Sequence, residues 1–143
     1  MNATRGSGTR NLAEAPRVLI VDDNHDSAEL LALVLERQGY ETRVAHDSQQ
    51  AIALAPQFGP ALAFLDIGLP DMDGYELLEV LRGTPELAGC KFVAVTGYDD
   101  ITCIRGTRGF DGHLLKPVDL ATLASLVTKI SGAAVDAMKP ATA

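Results

Sequence analysis

Short apolar runs alternate with stretches of helical period through the middle of the chain. Val18–Val21 is continuously apolar, as expected of a strand buried on both faces of a sheet. Residues 26–38 then place Ala28, Leu31 and Leu35 on one stripe, with Gly39 in the stop position, and predict a helix. Thr42–Ala45 reads as a second strand, more polar than the first and so a candidate edge. Ser48 is placed to cap a short Ala-rich helix, which either Pro56 or the turn Phe58-Gly59-Pro60 ends. Ala61–Leu65 is a third strand, and Asp73 or Gly74 opens a helix that continues as far as Arg82. Phe92–Val95 and His113–Leu115 complete a set of five strands. Leu120, Leu123, Val127 and Ile130 give a last helix its apolar stripe.

Strands that alternate with helices predict an α/β domain with a doubly wound, five-stranded parallel sheet and right-handed crossovers. Of the common arrangements, the flavodoxin-like order 2-1-3-4-5, a three-layer α/β/α fold, fits best. Five strands complete it, and the polar second strand then falls at an edge. Ligands of such sheets bind outside the C-terminal strand ends, where the winding reverses between strands 1 and 3. Four runs stop there on residues that handle phosphoryl groups or metals: VLIVDD at 18–23, LAFLD at 62–66, FVAVT at 92–96 and HLLK at 113–116. Asp22, Asp23, Asp66, Thr96 and Lys116 are therefore expected in one crevice, a set suited to a divalent metal and phosphate. Each signal alone is weak, because acidic residues commonly cap helices and a Lys-Pro pair is more often a surface lysine before a helix-starting proline. Their joint placement on different strands is what points to chemistry.

Composition narrows the partners. A chain of 143 residues, 47% hydrophobic, suits one domain that buries its own core. Lys and Arg number 12 against 19 Asp and Glu, for a net charge of −7 with no basic run, which argues against nucleic acid or anionic membrane as direct partners. Cys90 and Cys103 lack CxxC spacing and read as free thiols in a reducing, cytoplasmic setting. Residues 1–16 are polar and without period, and read as a disordered lead-in; 131–143 read as a flexible tail, leaving 17–130 as the domain. Asp71 and Asp73 are expected to be loop or cap residues, Gly68, Pro70 and Gly74 turn formers, and His25 and His46 solvated.

In order and setting, VLIVDD, LAFLDIGLPDMDGYELL, VAVTGYD and GFDGHLLKPVD resemble the receiver domain of two-component response regulators, and in particular the receivers attached to hybrid histidine kinases. The resemblance covers residues 17–130 and implies Mg²⁺, or Mn²⁺ in its stead, ligated by Asp23 and Asp66, by Asp22 directly or through water, and by the Gly68 backbone carbonyl. It implies that Asp66 is the nucleophile and becomes an aspartyl phosphate, that Lys116 neutralises the phosphoryl oxygens, and that the Thr96 hydroxyl binds the transferred group. The implied donor is a histidine kinase or histidine phosphotransfer protein. The resemblance further implies output to a downstream effector protein through a changed surface near the fourth and fifth helices and strand. Such a domain is no conventional enzyme, although it assists its own phosphorylation and dephosphorylation. A cis Lys116-Pro117 peptide is implied as well.

Some positions depart from the family pattern. The residue three before Lys116, often Tyr or Phe, is His113, so the switch role falls to His113 or to Tyr98 at the cleft mouth. The segment 99–109 carries Ile101, Thr102, Ile104, Gly106 and Thr107, which predicts a short, distorted or mobile fourth helix. Rival functions fit less well. An Asp-nucleophile phosphohydrolase needs a second acid where Gly68 stands, and an FMN domain needs a Gly- and hydroxyl-rich loop where DDNHD would repel phosphate. A pseudo-receiver that binds partners without phosphorylation is the closer alternative.

Overall fold

Strand β1 (Arg17–Val21) buries four of its five residues, and alternate side chains enter opposite layers. Val18 and Ile20 join one cluster, Leu19 and Val21 the other. The computed structural model describes residues 16–97, 109–116, 118–119 and 121–127. The expectations for Cys103, Tyr98, the segment 99–109, the Lys116-Pro117 peptide, Leu120, Ile130 and the residues beyond them fall wholly or mostly outside these. After β1 come α1 (His25–Arg37), β2 (Glu41–Ala45), α2 (Ser48–Phe58), β3 (Leu62–Asp66) and α3 (Gly74–Arg82). A 3₁₀ turn at Pro85–Leu87, β4 (Lys91–Thr96), β5 (Gly112–Leu115) and helical residues 121–127 follow.

All five strands are parallel, in the order β2-β1-β3-β4-β5, with the polar β2 at one edge as its sequence predicts. Register aligns the strand ends: Val21 pairs with Ala45 and with Leu65, Asp66 with Val95, and Thr96 with Leu115. One core layer packs Leu19, Val21, Ala63, Leu65 and Phe92 beneath α2 and α3. The other packs Ile20, Phe64, Val93, Val95 and Leu114 beneath α1 and the helical residues Leu123 and Val127. Each fully buried leucine or phenylalanine contributes about 1.5–3 kcal/mol, so these layers supply the rigid base on which the loops stand. None of the described helices is long and apolar enough to cross a membrane. Cys90 is a free, buried cysteine whose thiol burial pushes up to about 12, which makes it unreactive.

Helix ends follow local chemistry, with corrections at α2. Helix α1 stops where Gly39, at φ 99°, donates to Glu36 O and Tyr40 donates to Leu35 O, the paired bonds that close a helix around a left-handed residue. The α2 cap is Asp47, not Ser48: its extended backbone lets the carboxylate accept from Gln50 N at 2.8 Å, and its charge suits a helix N-terminus. Ser48 is instead the first helical residue and is fully buried. Pro56 does not end α2, which continues to Phe58 and stops at Gly59 with φ 65°. Asp73, of the two alternatives, is the α3 cap, accepting from Tyr75 N and Glu76 N at 2.9 Å each.

Candidate functional site

The pair Asp22-Asp23 follows β1 and Asp66 ends β3, so neighbouring strands deliver three carboxylates to one edge of the sheet. One oxygen from each lies within 4.8 Å of the other two. Asp22 and Asp66 are only 5% and 8% exposed, whereas Asp23 is open to solvent. Lys116, just past β5, reaches across with its Nζ 3.0 Å from Asp22 Oδ2 and 3.2 Å from Asp66 Oδ2. Backbone amides take the remaining oxygens: Asn24 N donates to Asp22 Oδ1 and Gly68 N to Asp66 Oδ1, both at 2.9 Å.

One ammonium cannot balance three carboxylates. Burial, with Asp66 alongside, raises the Asp22 carboxyl above its ordinary value, against the Asn24 amide and Lys116, which pull it down. Burial works to lower Lys116, but its bonds and proximity to Asp22 and Asp66 outweigh that and raise it. The lysine therefore stays charged. What results is a compact, oxygen-rich, electronegative site open on the Asp23 side, the donor set that hard divalent cations such as Mg²⁺ take.

Of the residues expected here, Asp22, Asp23, Asp66 and Lys116 converge. Thr96 ends the neighbouring strand β4 and is fully buried, but its hydroxyl turns to Leu114 O at a long 3.5 Å and not to the carboxylates. Gly68 supplies its amide to Asp66. His113 is exposed on β5. His25 is solvent-exposed as expected, but His46 is not simply solvated. Its half-buried ring lies 3.6 Å from that of His25, nearly parallel at 9°, and its Nδ1 is 3.0 Å from the Asp22 carbonyl. A carbonyl only accepts, so Nδ1 carries the proton. Asp71, expected as a loop or cap residue, is a cap in trans: it accepts from Ser48 N and Gln49 N, at 3.1 and 3.3 Å. These ties span 24 and 23 positions and leave no local mark in the sequence.

A doubly wound parallel domain with an acidic crevice at the reversal of winding, crossed by a lysine from the last strand, is an α/β fold of the flavodoxin-like order with its polar site where such folds bind ligands. The response regulator receiver domain family matches residues 18–128, and the chain belongs to that family. An uncharacterized 14.6 kDa protein of Leptolyngbya boryana is 35% identical over 77% of this chain and 86% of its own length. The transcriptional regulatory protein TrcR of Mycobacterium tuberculosis is 37% identical over 75% of this chain, which spans only 42% of that protein. A response regulator receiver domain from Methylobacillus flagellatus superposes with a TM-score of 0.75 at 31% identity, covering 82% of this chain and 99% of its own. Receivers act in two-component systems as phosphorylation-dependent signalling domains that work with histidine kinases and effectors.

Proposed function

We propose that this domain accepts a phosphoryl group from a histidine kinase or histidine phosphotransfer protein on Asp66 and thereby switches a surface that binds a downstream effector protein in the cytoplasm. The observation that carries the reading is Lys116, whose ammonium lies between Asp66 and Asp22 beside the exposed Asp23. Asp22, Asp23, Asp66 and the Gly68 carbonyl would hold Mg²⁺, which when bound supplies positive charge for the phosphoryl oxygens. The Gly68 amide fixes one oxygen of Asp66. The nucleophilic carboxylate attacks in line: an O–P bond forms as the P–N bond to the donor histidine breaks. Lys116 pairs with the incoming phosphoryl oxygens, and the Thr96 hydroxyl, held at present by a long contact, can exchange it for the phosphoryl group. Water attack at the same phosphorus would return the domain to its starting state.

That outward turn of Thr96 towards Leu114 O also favours a second reading, a receiver-shaped module that binds partners without phosphorylation. Incubation with acetyl phosphate and Mg²⁺, followed by intact-mass measurement, separates the two. One acid- and base-labile phosphoryl group is expected on the wild type and none on Asp66→Asn. Equal labelling of both proteins would sink the assignment to Asp66, and no labelling of either would favour the second reading.

A further inference from the structure

The junction between β2 and α2 fastens both acid-bearing loops. On one side the Ala45 carbonyl accepts from Asp22 N at 3.0 Å, and His46 donates to the Asp22 carbonyl. On the other, the two carboxylate oxygens of Asp71 each take one amide in the first turn of α2, Ser48 N and Gln49 N. First-turn amides have no partner inside their own helix. Asp47 takes the amide of Gln50, so two acids, one local and one from a distant loop, divide the turn between them.

Asp71 stands in the middle of the loop from Ile67 to Asp73. That loop closes where Gly74 N donates to Ile67 O at 3.0 Å, and its inner edge presents the Gly68 amide to Asp66 Oδ1. Leu69 and Met72 rest on the core beneath it, but apolar contact is not directional. The bonds from Asp71 are directional, and they tie the loop to a helix anchored in the sheet. A carboxylate spans two adjacent amides and matches the positive end of the helix. Ser48, and then the Gln49 amide, hold the Asp71 carboxyl below its ordinary value, so the tie stays charged at neutral pH.

We propose that Asp71 is a positioning residue: by seating the 67–73 loop on the start of α2, it keeps the Gly68 amide, and through it the Asp66 carboxylate, aligned for phosphoryl transfer. The inference rests on the reading of Asp66 as phosphoacceptor. Asp71 is exposed and outside both core layers, so its replacement leaves the fold intact.

The test follows labelling by acetyl phosphate in the full chain, as wild type, Asp71→Ala and Asp71→Asn, with the rate taken at saturating Mg²⁺ and donor. The Ala variant is expected to label about tenfold more slowly, the scale of a lost helix cap. The Asn variant keeps an acceptor oxygen and should stay within about threefold of wild type. Amide exchange at Ser48 and Gln49 should quicken in the Ala variant while the thermal midpoint moves by only a few degrees. Ala labelling at the wild-type rate overturns the positioning role alone. Ala and Asn equally slow, with matching losses of thermal stability, overturn it as a general folding effect. A wild type that takes no label removes the phosphoacceptor reading itself, and the inference with it.

Discussion

Asp22 is a carboxylate that the fold buries among other carboxylates. Its folded-state proton affinity is raised, so at neutral pH its ionisation costs stability; that cost fades as pH falls through the raised folded value and is gone below the unfolded value of 3.8. Asp22→Asn keeps an acceptor for Asn24 N and leaves Lys116 paired with Asp66. It should raise stability at about pH 7 by about 1 kcal/mol, a few degrees in thermal midpoint, with the gain vanishing towards the acid limit. Midpoints measured across that range decide it, and a pH-independent difference would refute the cause. Asp23 has the opposite character, being exposed and without a lysine bond among the described residues. In the proposed metal site it stands on the open side. Titration should therefore find Mg²⁺ binding weakened about tenfold or more by Asp23→Asn, and far less by Asp71→Asn. Asp22, Asp23, Asp66 and Lys116 were legible because each follows an apolar run, and strand ends in a parallel sheet share an edge. The ties from His46 and Asp71 were not, because a side chain reaching over 23 residues answers to tertiary geometry and not to its neighbours in sequence.

At the level of elements, the loop between β3 and α3 is where structure and chemistry depend on each other most closely. Gly74 opens α3 directly against that loop: a Cβ there would come within 2.7 Å of the Ile67 Cα and 3.1 Å of the Asp66 carbonyl. Both are backbone atoms, so the loop or the helix start would have to move. Gly74→Ala is expected to cost about 1–3 kcal/mol in urea unfolding and to slow acetyl phosphate labelling as Asp66 shifts. Unchanged stability with normal labelling would count against the close approach. Sequence patterning found every described strand to within about one residue, as usual for ends defined by hydrogen bonding. It missed the α2 cap because Asp47 and Ser48 are both good capping residues, and only the burial of Ser48 decides between them. It also left the α2 terminus open. Pro56 falls in the last turn, where the loss of one amide bond is tolerable, and the left-handed Gly59 provides the real stop.

The molecule as a whole is a sheet with two apolar layers and one polar rim, and its strand order was readable because a single polar strand had to lie at an edge. That same order makes the site a long-range object. Lys116 meets Asp66 across 50 positions and Asp22 across 94. A ribosome adding about 5–20 residues each second completes Asp66 some 3–10 s before Lys116 exists. Until then the chain lacks both the ammonium that lies between Asp22 and Asp66 and the strand that pairs with β4 at the sheet's far edge. On the proposed reading, competence to receive a phosphoryl group therefore waits on the residue that follows the last strand of the sheet. A chain cut before Gly112 is accordingly expected to take no label from acetyl phosphate, so that a half-made receiver would carry no signal.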